Sequence, residues 1–445
     1  MRRIILYLSL VLVSILVIQS ASAQMQQPYD REIDAKFQAE AIDSIARTLN
    51  EYYIFGDVAE DMGKRAEKNL KDGKYKDIKS LRQFCNTLTE DFMEVCNDRH
   101  FGIACFTDEF IAEQLVDTVT DEMIRERIEE LAYENFAFEK LERLTGNIGY
   151  IKFNQFVDAE YAGETAVAAM KFLNHCDAII FDLRDNGGGS PSMIQLISSY
   201  FFDESKHLNS FYIRHEDRME QFWTPAYVDG ERMPDIPLFI LTSSYTFSGA
   251  EEFTYNMKNM ERATIIGETT GGGAHPVAGH FFANLNIGMR VPYGRAINPI
   301  TETNWEGTGI EPHISVPREE ALEVAKLEAM KAVRDKTKDE GKLWVLNWDI
   351  ETMEALKEPH DLDKSLMKKY AGKYGPRTIT FKDGKLIYQR EGNPSHLMTP
   401  MSDDTFCFDD IDYFRLKVIT DDSGNPIEVH GLYRQGHTDI SVRSN

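Results

Sequence analysis

A serine at the start of a helical pattern and two glycine clusters are the features of this chain best suited to chemistry. Ser248 lies in Tyr245-Thr-Phe-Ser-Gly-Ala-Glu-Glu252, where an apolar run hands over to a helix-like stretch. Ser-Gly-Ala-Glu is S-x-x-E, so the plain expectation is a capping box, with Ser248 at the N-cap and Glu251 three residues on. A strand-to-helix turn can also expose a nucleophile and offer the next backbone N–H to an oxyanion. Position 246 is Thr, which excludes the G-x-S-x-G elbow of the α/β-hydrolases. Asn186-Gly-Gly-Gly-Ser190 sits between a strand pattern and a helix pattern, a context in which backbone N–H groups can cradle phosphate. Position 192 is Ser, so G-x-G-x-x-G is not met, and no Walker lysine follows; Gly271-Gly-Gly273 lacks both features too. Such a turn can instead aim a backbone N–H at developing negative charge.

Three kinds of chain must position these residues. From about Tyr29 to Cys96, apolar residues recur at three- and four-residue steps: Ala41, Ile42, Ile45, Ala46, Leu49, then Leu81, Phe84, Leu88, Phe92 and Val95. This predicts two or three helices in an N-terminal domain over 24–115. A charged, helix-like linker from about Asp121 to Arg143 opens a core domain over 116–334. There, strand patterns (Asn147–Phe153, Ala178–Leu183, Ile236–Thr242, Ala263–Gly267) alternate with helical ones (Ala162–Leu173, Met193–Phe202, Ser248–Met260), an α/β layering. Glu319–Val333 reads as a helix, and the charged run Arg334–Lys342 as a linker. Beyond it, 345–445 alternates around turns at Asp383-Gly384 and Ser423-Gly424 and is expected to be a small all-β domain.

Composition narrows the function. Lys and Arg total 49 against 73 Asp and Glu, a net charge of -24, so neither nucleic acid nor an anionic membrane surface is an expected partner. Met1-Arg2-Arg3, an apolar stretch from Ile4 to Ile18 and Ser20-Ala-Ser-Ala23 form a secretory leader (1–23) cut after Ala23, predicting a secreted or periplasmic chain with no stable membrane span. Cys85, Cys96, Cys105, Cys176 and Cys407 are too sparse for a disulfide scaffold and have no zinc-finger spacing. They read mostly as small buried apolar residues, with a Cys85–Cys96 bridge possible.

The order of motifs resembles the tail-specific or C-terminal-processing family of serine peptidases. Gly149-Tyr-Ile-Lys-Phe153, Asp182-Leu-Arg-Asp-Asn-Gly-Gly-Gly189, Ser248-Gly-Ala-Glu251, Gly267-Glu-Thr-Thr-Gly-Gly-Gly273 and Trp305-Glu-Gly-Thr-Gly-Ile-Glu-Pro312 stand in the family's order. The resemblance implies a core of β-β-α units in a spiral, like that of crotonase and Clp peptidase, between the helical and all-β domains. The processing branch carries its lysine base at the position of Gly273, so that base is missing here. Lys258 cannot replace it, ten residues along the predicted helix and so about 15 Å away. Phe101–Asn147 is also too short for a PDZ domain. Both departures resemble the branch of the tricorn core and the interphotoreceptor retinoid-binding protein modules, in which a D-x-H motif ends the helical domain; Asp98-Arg-His100 stands at that place.

The resemblance therefore implies Ser248 as nucleophile, His100 as general base and Glu306 as its orienter, with His275 as a rival base. The oxyanion hole falls to the N–H groups of Gly249 and Gly188, since relatives often carry Pro at the Gly187 position and Pro has no N–H. Asp182 and Arg184 are expected to be a structural pair. With base and nucleophile in different domains, closure of the helical domain would gate the site. The expected function is a secreted serine peptidase acting on peptides or proteins, with no metal or organic cofactor and with oligomerisation possible. The alternative is a carrier of an apolar ligand, or a peptide-binding protein, on the same scaffold. An ordinary histidine base would make kcat/KM fall through about pH 6–7.

Overall fold

The computed structural model describes residues 29–116 and 120–444; the leader 1–23 and its cut after Ala23 lie outside the described residues. The chain divides into two compact units, Met1–Arg143 with Gly149–Ala325, and Leu144–Ile148 with Lys326–Asn445.

The first unit opens with three helices, Ala35–Tyr52, Gly56–Lys71 and Leu81–Cys96. Asp34 caps the first by accepting the Phe37 N–H at 2.8 Å, and Ser80 caps the third by accepting the Gln83 N–H at 3.1 Å. The third helix ends at Asn97, which takes a left-handed φ of 48°, a conformation Asn tolerates. That reversal delivers Asp98 and His100.

The helices are not a separate body. Ile45, Leu49, Leu81, Phe84, Leu88 and Phe92 share one core with Ile103, Leu285, Ile287, Met289 and Val291. Those later residues belong to or flank a three-stranded antiparallel sheet in the order Gly102–Cys105, Ile287–Pro292, Val277–Phe282, with Gly102 opposite Arg290. The strand Gly102–Cys105 begins two residues after His100, so His100 and the core lie within one unit. The expected division into a gating helical domain and a core gives way to this shared interior.

The α/β core contains a six-stranded sheet in the spatial order Ile314–Ser315, Thr264–Gly267, Leu238–Thr242, Ala178–Asp182, Ile148–Phe153, Phe138–Leu144. Ala178–Asp182 and Leu238–Thr242 pair in parallel and are buried throughout, as their unbroken apolar runs require. The helices Ala159–Leu173, Pro191–Ser199 and Gly249–Asn259 contribute to the same core. The predicted linker helix stops at Tyr133, and Phe138–Leu144 is an edge strand with charged outward positions. His207–Ile213 and Arg218–Trp223, a hairpin extended by Gly294–Ile297, went unpredicted because buried Asn209 and Ser210 mask the apolar alternation.

The second unit carries an eight-stranded antiparallel sheet from Gly372 to Val442, in sequence order. It is not all β. The run read as a linker is the end of the helix Ala321–Lys336 followed by a new helix, Glu340–Lys357, capped by Asp339, which accepts the Lys342 N–H at 2.8 Å. Inside the unit, the buried Arg377 guanidinium donates to Ser441 Oγ at 2.6 Å and to both Asp439 carboxylate oxygens at 2.6 and 2.7 Å. Asp439→Ala strands that cation. The expected loss is about 3 kcal/mol, the low end for a buried pair because Asp439 still meets water, read as a lower urea midpoint for the unit's unfolding beside an unchanged one for Asp422→Ala.

Candidate functional site

The turn that carries Ser248 is fixed before any ligand arrives. The strand Leu238–Thr242 leads into Ser243, whose N–H donates to Thr246 Oγ1 at 2.9 Å, while Thr246 Oγ1 donates to Leu183 O at 2.8 Å. Phe247 N–H then donates to Asn186 O at 3.1 Å. Held at both sides, Ser248 adopts φ 52°, ψ -121°, a conformation that costs a non-glycine residue about 1–3 kcal/mol. The helix Gly249–Asn259 starts immediately after it.

Glu251 does more than cap. Its Oε2 accepts the Ser248 N–H at 2.9 Å and the Gly273 N–H at 2.9 Å, while its Oε1 accepts the Thr270 hydroxyl at 2.5 Å and the Gly272 N–H at 2.7 Å. Burial pushes the Glu251 carboxyl up and these four donors oppose it, leaving it at about 7. One carboxylate thus joins the serine turn to the second glycine cluster. The S-x-x-E pattern shows only its capping half; the other half is invisible until Gly272 and Gly273 are brought beside it.

The first glycine cluster lies against the serine. A Cβ on Gly188 would stand 2.6 Å from Gly249 N and 2.8 Å from Ser248 Cβ, and Gly188 has φ 109°, so glycine is required there. The expected oxyanion role of Gly188 is corrected, however. Its N–H is already donated to Asn186 Oδ1 at 2.9 Å. Among the described residues, the N–H groups of Gly249 and Gly189 have no acceptor. Gly189 backbone packs on Gly249, where an added Cβ would meet Gly189 N at 2.8 Å.

His100 is buried, and its ring lies 4.6 Å from that of Phe247, the residue before the serine. Both of its ring nitrogens are buried without a hydrogen-bond partner. Its backbone N–H donates to Asp98 Oδ1 at 2.9 Å, the local turn that Asp-x-His spacing favours, and its Nδ1 is 4.0 Å from the same oxygen. The other Asp98 oxygen bonds His275 Nδ1 at 2.6 Å. Glu306 meets His275 and not His100: its Oε2 is 3.6 Å from His275 Nδ1 and accepts the Ala274 N–H at 2.6 Å. The direct orientation of His100 by Glu306 is therefore corrected. Asp98 touches His100, and Glu306 acts at one remove.

Burial is the largest influence on His100 and lowers its pKa to about 4, with the Asp98 charge opposing. Burial, then the Asp98 charge, raises the Glu306 carboxyl. Asp98, His275 and Glu306 hold donor atoms within 4.8 Å of one another and could accept a cation, but the direct Asp98–His275 hydrogen bond already accounts for their meeting. Arg99 lies over the Phe247 ring, 5.4 Å from its centroid, and donates to Gly271 O. Lys258 is turned elsewhere, its Nζ donating to Glu311 O at 2.6 Å, and Asp182 and Arg184 form the structural pair expected.

The family model described as peptidase family S41 matches residues 147–316, a span that includes Ser248, Glu251, His275 and Glu306 and begins after His100. Among solved structures, a candidate peptidase of Parabacteroides merdae ATCC 43184 is 20% identical, over 67% of this chain and 97% of that one, with a TM-score of 0.47. A lipoprotein of Streptococcus agalactiae is 15% identical over 66% and 96%, with a TM-score of 0.46. The photosystem II D1 C-terminal processing protease is 12% identical over 63% and 94%, with a TM-score of 0.42.

Glu251→Ala leaves four donors in a dry interior with nothing to accept them. At about 1–3 kcal/mol for each unsatisfied group, and with partial relaxation, the expected loss is on the order of 4 kcal/mol. A midpoint within error of the parent in a urea titration would show that the carboxylate does not hold this turn.

Proposed function

We propose that the chain is an exported serine peptidase that works through an acyl-enzyme on Ser248 with His100 as general base, a reading that starts from the match of residues 147–316 to the model of peptidase family S41. The observation that carries this reading is the strained Ser248 backbone, set beside Phe247, on which a buried histidine with two unpartnered nitrogens rests. A base engaged elsewhere would have to break a hydrogen bond before reacting; this one does not.

In the proposed sequence, His100 takes the Ser248 hydroxyl proton as Oγ attacks the scissile carbonyl carbon. The carbonyl oxygen gathers negative charge and meets the Gly249 N–H, with Gly189 in place of Gly188 as the second donor. The imidazolium returns its proton to the leaving amine nitrogen, the C–N bond breaks, and water repeats the cycle on the ester. Asp98 holds the backbone of His100, and His275 holds Asp98, with Glu306 behind it. His275 acts as support, because the groups around its ring are Asp98, Glu306 and Phe55. Export rests on the leader, and peptides or proteins are the proposed substrates.

Ser248→Ala and His100→Ala should each lower kcat/KM on a fluorogenic peptide by about 10³-fold or more, and Ser248→Ala should abolish labelling by a fluorophosphonate. Parent-like turnover in either variant, with the fold intact by circular dichroism, would remove that residue from the mechanism.

The acid limb should be displaced. His100 must be neutral to accept a proton, and its pKa is lowered to about 4. So protonation of His100 should depress kcat/KM only below about 5, and any loss near 6.5, the ordinary histidine value, falls to Glu251, whose carboxyl stands at about 7. A decline centred near 6.5 that persists in folded Glu251→Gln protein would contradict a desolvated base.

A Cβ at Gly273 would overlap the Phe247 ring and stand 2.6 Å from His100 Cε1. Gly273→Ala should therefore displace the base and cost about 10²-fold in kcat/KM, the scale of a 1 Å misplacement. Far-UV dichroism should be unchanged, and an undiminished rate would show that His100 does not need this position.

A further inference from the structure

We propose that Cys85 and Cys105 are a dithiol that closes into a disulfide on exchange with a protein or small-molecule disulfide, and that this bond fixes the segment carrying His100. The two residues sit on elements already clamped together. Thr89, on the helix Leu81–Cys96, accepts the Ile103 N–H at 3.1 Å through Oγ1 and donates the same hydroxyl to Cys85 O at 2.9 Å. Cys85 is one turn before Thr89 on the same helix face, and Cys105 is two residues beyond Ile103 on the same strand face. The chain reverses between them over residues 97–101. Four helical residues advance about 6 Å and two strand residues about 6.6 Å, so stepping away from the Thr89–Ile103 clamp keeps helix and strand positions opposite each other. Cys85 belongs to the core that the helices share with the sheet, and Cys105 packs against that core.

The alternative Cys85–Cys96 bridge is excluded by the helix that carries both. Eleven residues at 1.5 Å each separate them by about 16 Å, where a disulfide needs Cα atoms within about 7 Å. Cys176 packs in a different core cluster.

The two thiols are not equivalent, which gives the exchange a direction. Cys105 is half-buried, its S–H donating to Tyr29 O at 3.2 Å. The neighbouring Cys85 thiol, then the Arg82 guanidinium, lower its pKa to about 7, against burial, which marks Cys105 as the thiol that ionises first. Cys85 is buried, and its thiol is pushed up by Cys105 and by burial. Cys105 thiolate attacks one sulfur of the oxidant disulfide, forming a mixed disulfide and releasing one thiolate. Cys85 then loses its proton to solvent or to that thiolate and attacks the Cys105 sulfur, releasing the second thiol. Two protein thiols are oxidised and one oxidant disulfide is reduced to two thiols. An exported chain would meet such oxidants.

The bond would span Asp98, Arg99 and His100 and restrict the unfolded chain around them. The experiment uses the full mature chain, reduced and then incubated with oxidised glutathione. Thiols are blocked with iodoacetamide under denaturing conditions, and digests are mapped by mass with and without reductant. The expected result is a Cys85–Cys105 linked peptide, 2 Da lighter than its reduced halves combined, and a melting temperature about 5 °C above that of the reduced protein. Full alkylation of both cysteines after incubation, or a link that joins either to another cysteine, overturns the proposal. Because that readout is made on the parent chain, it does not depend on whether Cys85→Ala folds. Cys105→Ala should in addition lose the thermal shift, and retention of it would also count against the bond.

Discussion

The Glu251 carboxylate is the interaction on which the site depends. It is fully buried and accepts from Ser248, Thr270, Gly272 and Gly273, so one side chain sets the distance between two loops that are separate in sequence. A carboxylate in that position has to be charged to satisfy four donors and has to be dry to hold them rigidly. The two demands oppose each other, which is why burial raises its pKa while its hydrogen bonds lower it. The strained backbone of Ser248 persists because this anchor, with Thr246 and Asn186 on the other side, leaves the turn no relaxed alternative.

The same anchor explains why the ring of His100 and a side chain at position 273 exclude each other. Gly273 donates to Glu251 and faces Phe247 and His100, so the space in which a side chain at 273 would begin is already occupied. Where the resemblance places a lysine in other branches, this chain places an imidazole from the distant residue 100. A lysine there would require the ring of His100 to leave.

Much of this was legible in the sequence. The buried strands Ala178–Asp182 and Leu238–Thr242 announce themselves as apolar runs, and the three N-terminal helices as period-3.6 stripes. The serine turn followed from an apolar run meeting S-x-x-E. What could not be read was whatever depends on meeting at a distance. The Asp98–His275 bond joins residues far apart in the chain, and nothing local marks it. Gly188 was the natural donor by motif, but Asn186 two residues earlier takes its N–H. The strands His207–Ile213 and Phe138–Leu144 hid because polar residues stand at buried or edge positions, so the two-residue rhythm fails. Asp339 looked like part of a charged spacer until its carboxylate was seen capping a helix.

The interior shared by the first three helices and the later strands also dictates an order of events during synthesis. Leu49, Leu88 and Phe92 share their core with Leu285, Ile287 and Met289. A ribosome that has released the helices has therefore not yet released the surface that completes them. Until those strands emerge, the nascent helices expose apolar faces and the Asp98 loop has no His275 to close against. On the proposed mechanism, the serine turn at 248 leaves the ribosome ahead of the strand residues that complete the helices, so the ring of His100 takes its place beside Phe247 only once they have followed.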